Sequence, residues 1–143
     1  MGIQKDGLTM LQDQRTIQKV FQLDKNITMA TADINADAYV LAEEARQECQ
    51  DYRLDYDDDP PVNYIANYIA AVQSKYTQTA GVRPMGVACL IGGFDTDKKP
   101  RLFLTEPSGR CTEWMAKAIG GNAKQILEFL EKNYDESTPT IQT

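Results

Sequence analysis

The feature that most constrains the fold of this chain is a short segment that is apolar on both of its sides. The residues from Val87 to Ile91 read VACLI and include no charged side chain. Successive side chains of a β-strand point to opposite faces of the sheet, so a strand with one wet face alternates apolar and polar residues. This segment does not alternate, which predicts a strand inside a layered sandwich that covers both of its faces.

The composition is that of an ordinary globular domain with an acidic balance. The chain has 143 residues, of which 42% are hydrophobic and 25% are charged, and this suits one ordered domain. Asp and Glu number 21 against 15 Lys and Arg, so the net charge is -6. No basic stripe is present, which makes nucleic acid and anionic membranes poor partners. Neither a leader-like segment nor a membrane-length apolar run occurs, so cytoplasm and nucleus are the expected locations.

Few residue types are available for catalysis or metal binding. The chain has no histidine, which removes the commonest general base and metal ligand. Its cysteines, Cys49, Cys89 and Cys111, have no C-x-x-C spacing and are predicted to be reduced, packed thiols. The acidic run at 55–59 lacks the glycine and the distal glutamate of a calcium loop, so a solvated loop is predicted there. We therefore expect no metal and no cofactor.

Periodicity divides the chain into two strands, two helices, three further strands and a last helix. Asn35 and Asn122 are the expected N-caps of the first and last helices, and Asp59 is able to cap the second. Gly81 is the expected stop signal after the second helix. Segregated helices and strands favour an α+β fold, with a sheet that contacts the helices and a second sheet. Strands are predicted at 17–23, 27–32, 85–94, 101–105 and 110–119, and helices at 35–54, 62–76 and 123–134.

Each predicted helix carries apolar residues at steps of three and four, which indicates one apolar face per helix. In the first helix this face consists of Ala38, Leu41, Ala42, Ala45, Cys49 and Tyr52. In the second it consists of Val62, Ile65, Ile69, Val72 and Tyr76. In the last it consists of Ala123, Ile126, Leu127, Leu130 and Tyr134.

Several segments, in the right order along the chain, resemble the α-type subunits of the 20S proteasome. They read YTQTAGVRPMGVACLIGGFD, PRLFLTEPSG, EWMAKAIG and EFLEKNYDE. The R-P-x-G motif of Arg83, Pro84 and Gly86, preceded by Y-T-Q, resembles the pattern that distinguishes α-type from β-type subunits. LQDQRTIQKVFQLDKNI and ARQECQDYRL look most like the fourth of the seven eukaryotic α types. Where this family usually has a glycine before the first helix, the chain has Asp33, a residue type that tolerates left-handed backbone.

The resemblance implies a fold and a role. The implied fold is the αββα sandwich of the N-terminal nucleophile hydrolases, with residues 1–143 as the central part of a single α-type subunit domain, incomplete at both ends. The implied role is that of a non-catalytic structural subunit of the outer α ring, in ring assembly, gating of the substrate entrance and activator docking. The implied partners are neighbouring α subunits, β subunits and the C-terminal tails of regulatory particles or activators.

The resemblance also implies roles for single residues. Lys19, in TIQKVFQL, matches the lysine that meets the carboxylate of an activator tail through a charge-assisted hydrogen bond. The alternative is an ordinary solvated strand lysine. Pro84 restricts Arg83 to extended conformations, which favours a structural role for Arg83 over that of an anchor for a neighbouring segment. Gly86 is expected to permit the close approach of another backbone.

Two other classes of function stay open on the sequence alone. The first is an active N-terminal nucleophile hydrolase of the same fold, in which a threonine freed after a glycine uses its own amine as the base. None of the nine glycines is followed by Thr, Ser or Cys, so no nucleophile is expected by that route and no residue is assigned a catalytic role. The second is an unrelated helix-rich adaptor, which requires the sheet to be absent.

Overall fold

The structure, a computed structural model, describes residues 10, 11, 13, 18–33 and 35–135. These residues form an antiparallel sheet and separate helices, which confirms the α+β class and excludes a helix-rich adaptor without a sheet. In chain order the elements are β1 (Val20–Asp24), β2 (Ile27–Asp33), α1 (Asn35–Tyr56), α2 (Val62–Gln78), β3 (Val87–Phe94), β4 (Pro100–Thr105), β5 (Cys111–Glu113) and α3 (Ala123–Asn133).

Within the described residues the sheet has five strands, and their order across the sheet follows their order in the chain. The register places Phe21 opposite Met29 and Met29 opposite Ile91. Ile91 in turn stands opposite Phe103, so a row of large apolar side chains crosses four strands. All four side chains are buried, and they form the part of the core that lies under the helices.

Strand β3 has covered residues on both of its faces, as its sequence predicts. Val87, Cys89 and Ile91 point to the helical side and are fully buried. On the opposite face, Leu90 packs with Ala30 and Leu104 in a second, smaller apolar cluster. Within the part of the chain that the structure describes, no second sheet lies on this cluster, so the predicted second sheet stays a prediction.

Helices α1 and α2 cover the first face of the sheet with the apolar faces that periodicity predicts. Tyr52, Val72 and Tyr76 are only partly buried at the margin of this layer. Gln73 is a buried polar residue of α2, and its Nε2 donates a hydrogen bond of 2.8 Å to the carbonyl of Val87, which ties the helix to β3. The fully or almost fully buried apolar residues are Ala38, Leu41, Ala42, Ala45 and Cys49 on α1, and Val62, Ile65, Ala66, Ile69 and Ala70 on α2.

The N-terminus of α2 is capped by a residue from another part of the chain, and the prediction that Asp59 caps it is wrong. The helix begins at Val62 after Pro61. The Val62 N–H donates a hydrogen bond of 2.9 Å to Oδ1 of Asp95, in the loop after β3. Such a carboxylate satisfies one of the first free N–H groups of the helix. Asp95 can reach it because β3 runs beneath α2 and brings this loop to the start of the helix.

The helix α3 forms as predicted after Asn122 in the N-cap position, but it leaves its apolar face largely open. None of its residues is buried, and Ile126, Phe129 and Tyr134 are 45%, 64% and 47% exposed. Among the described elements, α1 and α2 already fill the face of the sheet that holds the main core. No helix of the described ranges is both long and apolar enough to cross a membrane.

Each of the eight predicted elements differs from the structure at one boundary or more, and three of the strands show the reasons. The strand predicted at 85–94 begins at Val87, because Met85 is buried but still belongs to the irregular segment after α2. The strand predicted at 110–119 ends at Glu113, since the chain turns away after a hydrogen bond of 2.9 Å from the Trp114 N–H to the carbonyl of Leu102. The strand predicted at 17–23 begins at Val20, and its predicted residue 17 lies outside the described residues.

Two residues next to the ends of helices have a positive φ angle. Asp33, at the end of β2, has a φ of 87°, in the left-handed region that the sequence suggested for this position. The helix α1 begins two residues later at Asn35, the predicted N-cap. The C-cap of α2 is Thr79 and not the predicted stop residue Gly81, which lies two residues further on and has a φ of 84°.

Candidate functional site

The R-P-x-G motif lies where the segment after α2 meets the first turn of α1. Arg83 donates two hydrogen bonds to the carboxylate of Asp37, from Nη1 to Oδ2 at 2.8 Å and from Nη2 to Oδ1 at 2.7 Å. The N–H of Gly86 donates to the same Oδ2 at 3.0 Å. A single carboxylate of α1 therefore holds both ends of the motif.

The hydrogen bonds from Arg83 and Gly86, and the charge of Arg83, keep this carboxylate ionised in spite of its burial. The side chain of Asp37 is 8% exposed, whereas that of Arg83 is 64% exposed. The hydrogen bond from Arg83 lowers the pKa of Asp37 below its ordinary value of 3.8, burial opposes this change, and the Gly86 N–H adds to the lowering. The position in the first helical turn also favours a negative charge. Asp37 is thus a charged anchor at neutral pH.

The middle of the motif is shaped by the same contacts. The carbonyl of Pro84 accepts a hydrogen bond of 3.1 Å from Nη1 of Arg83. Met85 inserts its side chain into the main core and is 4% exposed. The Gly86 N–H donates to the same carboxylate, and the expected close approach of another backbone to Gly86 stays a prediction. Asp37 was not identified from the sequence, because nothing in the local pattern shows that a residue 46 positions before Arg83 is its partner.

Lys19 lies at the edge of the described sheet, one residue before β1. Its carbonyl accepts a hydrogen bond of 2.9 Å from the N–H of Thr31, which extends the β1–β2 ladder by one bond. Its side chain is half-buried. Lys19 therefore lies beside β1, whereas Arg83 contacts the first turn of α1.

A second charged cluster joins the β1–β2 turn to the connection between α1 and α2. Arg53 contacts both Asp24 and Asp59, with 3.1 Å between its Nε and Oδ1 of Asp59. Lys25 Nζ lies 2.9 Å from Oδ2 of Asp59. Lys25, together with Arg53, lowers the pKa of Asp59. Asp59 is therefore an ion-paired residue of the run at 55–59, where a solvated loop was predicted, and this cluster holds two chain connections together.

Two adjoining cavities lie beside the motif, along the outer side of the α1–α2 layer. The larger has a volume of about 450 Å³ and is lined by Glu44 of α1, by the outer face of α2 and by Val82. The smaller has a volume of about 220 Å³ and lies next to the Asp37–Arg83 pair. Tyr76 and Val82 line both cavities and therefore separate them.

The described residues offer little for covalent or metal chemistry. Burial raises the pKa of Cys49 and of Cys89 to about 12, and it also raises the pKa of Cys111. These thiols are therefore poor sources of the nucleophilic thiolate. Among the residues that the structure describes, no group of three or more Cys, Asp or Glu residues is placed to hold a metal ion.

Comparison with known proteins gives one consistent result. The family described as "Proteasome subunit" matches residues 4–141. The chain is 48% identical over 136 residues to "Proteasome subunit alpha type-7" of Dictyostelium discoideum and to "Proteasome subunit alpha type-8" of Mus musculus, with 95% of this chain and 54% of each relative covered. It is 49% identical over 140 residues to "Proteasome subunit alpha type-7-B" of Oryza sativa subsp. indica, with 96% of this chain and 56% of that relative covered.

These relatives belong to the family that the sequence resembles, but their names carry a different α-type number from the predicted one. Their names carry the numbers seven and eight, so the prediction of the fourth α type is not supported. The chain spans about half the length of the curated relatives it matches. Because the family match extends over almost all of its residues, the chain belongs to the proteasome subunit family.

Proposed function

We propose that the protein that carries this chain is a non-catalytic structural subunit of the outer α ring of the 20S proteasome. Its roles would be ring assembly, gating of the substrate entrance and activator docking, at the ring position of the relatives named type-7 or type-8. The observation that carries this proposal is 48 to 49% identity, across 95 to 96% of the chain, to proteins named as α-type subunits.

The proposed fold is the αββα sandwich, of which residues 1–143 form a central part. One helical layer on one sheet supports this proposal. The second apolar cluster, around Leu90 and Leu104, is a surface on which a further sheet layer would pack. The open apolar face of α3 is suited to packing against additional structure in the same way.

Assembly is tested by placing a tagged copy of the protein in cells in which the type-7 subunit can be depleted. We expect the tagged protein to purify in a complete barrel with other α subunits and β subunits, from cytoplasm and nucleus, and to restore growth. Failure to enter the barrel, with the protein folded and expressed, would contradict the proposal. A tagged β-type subunit provides the control for correct assembly of the rest of the particle.

The second candidate, an active N-terminal nucleophile hydrolase, is less well supported. No glycine of the chain is followed by Thr, Ser or Cys, and all three cysteine thiols have a raised pKa. We expect the purified protein to leave fluorogenic peptides uncut and to remain unlabelled by threonine-directed covalent inhibitors. Stoichiometric labelling of this chain would show that the hydrolase alternative is correct.

Activator docking is proposed for Lys19, which the structure places half-buried at the start of β1. In an assembled ring, Lys19→Ala should weaken the binding of an activator tail peptide about tenfold, because a charge-assisted hydrogen bond is lost. Lys19→Arg should restore binding only in part, since the planar guanidinium of arginine replaces the compact ammonium of lysine. Unchanged tail affinity in an intact ring would return Lys19 to the alternative of a solvated lysine.

A structural role is proposed for Arg83, Pro84 and Gly86. Support comes from the Asp37 carboxylate, which accepts hydrogen bonds from Arg83 and Gly86 and so connects the segment before β3 to α1. In this role the motif fixes the start and direction of β3, the strand that is apolar on both faces.

A further inference from the structure

The segment between α2 and β3 crosses one end of the groove between α1 and α2. We name residues 80–85 the strap. Its first five residues are exposed, including Val82 at 43%, and only Met85, at its end, is buried in the core. The strap therefore lies over the surface of the helices rather than within the packed layers.

Few bonds hold the strap in this position. Among the described residues, the hydrogen bonds from the strap to α1, α2 or the sheet are the two that Arg83 donates to Asp37. The next residue, Gly86, donates its N–H to the same carboxylate. The remaining bonds are local, such as that of 3.4 Å from the Val82 N–H to the carbonyl of Thr79. One side chain of α1 is thus the polar attachment of the whole strap.

The strap also has a suitable pivot at its other end. Thr79 is fixed to the last turn of α2, where its N–H donates a hydrogen bond of 3.0 Å to the carbonyl of Lys75. Two residues later, Gly81 has a φ of 84°, and a side chain placed there would meet no atom within 4 Å. The side of Gly81 that would carry a Cβ therefore faces open space, and glycine itself adopts a wide range of backbone angles.

Opening the strap would change the shape of the groove. Val82, on the strap, lines both the cavity of about 450 Å³ and the cavity of about 220 Å³. Arg83 and Met85 form part of the wall of the smaller one. Movement of these residues away from α1 would join the two cavities into one cleft, floored by Tyr76.

We propose that the strap is a hinged lid, pivoting near Gly81 and latched by Asp37, which opens while the sheet, α1 and α2 remain folded. Opening breaks the two hydrogen bonds from Arg83 to Asp37 and exposes Met85, whereas global unfolding exposes the entire core. Segments with few attachments open locally at a lower free energy than the whole fold. The latch sets how often the cleft between α1 and α2 becomes accessible.

The experiment measures access to the strap by thiol alkylation under native conditions. Met85→Cys is made in the full chain together with Cys111→Ala, which leaves Cys49 and Cys89, both 0% exposed, as internal reporters of global unfolding. We expect the introduced thiol to react faster than Cys89. Addition of Asp37→Asn should raise its rate by about tenfold, because the closed strap loses its latch, and the introduced thiol should still react faster than Cys89.

Matched variants separate the latch and the pivot from general loss of stability. Glu113→Gln weakens another arginine–carboxylate pair, that of Arg101 and Glu113, and should leave the rate at position 85 unchanged. Gly81→Ala should raise this rate, because alanine disfavours the positive φ of the closed strap, and Gly81→Asn should lie closer to the parent. These two variants keep Asp37 intact, so they test the lid even where Asp37→Asn lowers the yield of folded protein.

Three results would overturn the proposal. The first is that the introduced thiol reacts no faster than Cys89, which would mean that the strap opens only on global unfolding. The second is that Asp37→Asn accelerates Cys89 while the rate at position 85 stays the same, which would mean that Asp37 stabilises the fold but does not latch the strap. The third is rapid reaction at position 85 that neither Asp37→Asn nor Gly81→Ala changes, which would show that the strap is open without a latch.

Discussion

The helices α2 and α3 have sequence patterns of the same kind but very different surroundings. Ile65 and Ile69 of α2 are 0% and 1% exposed, because the helix packs on the sheet beside α1. On the apolar face of α3, Ile126 is 45% exposed, and Leu127 and Leu130 are only partly buried. The period of apolar residues therefore indicates which side of a helix is meant to be covered, and it does not indicate what covers it.

The difference arises from where each helix lies relative to the sheet. The face that holds Phe21, Met29, Ile91 and Phe103 is already occupied by α1 and α2. The chain reaches α3 only after β5, at the last strand of the sheet, where the described residues provide no comparable apolar surface. Four pairs of variants test this contrast between a packed and an open helix.

The largest effect is expected from truncating one isoleucine on each helix. Ile65→Ala should lower the free energy of unfolding by about 2 to 5 kcal/mol, because it leaves a cavity in the core. Ile126→Ala should change it by less than about 0.5 kcal/mol, since its side chain is already half in water. Urea unfolding of the two variants measures both values. Equal losses would mean that α3 is packed as firmly as α2.

The next effect concerns the latch at the start of α1 and its dependence on pH. The pKa of Asp37 is lowered in the folded chain, so its contribution to stability is present above the ordinary value of 3.8 and is lost as the pH falls through the folded pKa. Asp37→Asn should lower the free energy of unfolding at pH 7 by about 1.5 kcal/mol, a small value because solvent screens the exposed Arg83.

Urea titrations at several pH values test this expectation. The difference between parent and Asp37→Asn should shrink as the pH falls below 3.8. Glu128→Gln, on the exposed side of α3, removes one negative charge and is the control for net charge. A difference that stays the same at every pH would contradict the assignment of an ionised, bonded carboxylate to Asp37.

A third comparison concerns the N-termini of the two helices. Asp95→Ala should lower the free energy of unfolding by about 1 kcal/mol, because the Val62 N–H of the packed helix loses its acceptor. Asn122→Ala, at the N-cap of α3, should have a smaller effect on global unfolding, since α3 buries no residue. Thermal unfolding of the two variants gives the comparison, and a larger loss for Asn122→Ala would reverse it.

The smallest effect is expected where the chain turns before each helix. Asp33 precedes α1 with a φ of 87°, and Gly120 precedes α3 with a φ of 105°. Asp33→Gly should raise the free energy of unfolding by up to about 1 kcal/mol, because glycine adopts this angle without strain. Gly120→Asp should affect mainly α3, as helical circular dichroism would show. A decrease in stability for Asp33→Gly would indicate that the Asp33 side chain has a role that outweighs its backbone strain.

The sequence predicted every described element of the fold, but not their limits or their long-range contacts. The pattern of β3 showed that both faces are covered, since alternation depends only on neighbours in the chain. The path from Trp114 to Ile119 is predicted as strand, whereas the pairing with β4 goes no further than the hydrogen bond from the Trp114 N–H to the carbonyl of Leu102. Asp59 was assigned as a cap because it lies near the helix in sequence, whereas Asp95 lies nearer in space.

The candidate site likewise has features that the sequence predicted and features that only the structure showed. The sequence identified Arg83, Pro84 and Gly86 as a motif that sets the start of a strand. Only the structure showed that Asp37 holds this motif, and that the segment forms a strap over two cavities. The carboxylate and the guanidinium are 46 positions apart in the chain, and no local pattern relates them.

The sequence by itself determined the elements, the apolar faces and the family, because each depends on residue types at short, fixed spacings. The tertiary structure alone decided which apolar face is buried, which carboxylate caps α2 and which one latches the strap. These outcomes depend on the free energy of packing between elements that are far apart in the chain. Helices α2 and α3 show the limit: the same period specifies a face on each, and only the sheet beneath α2 turns that face into core.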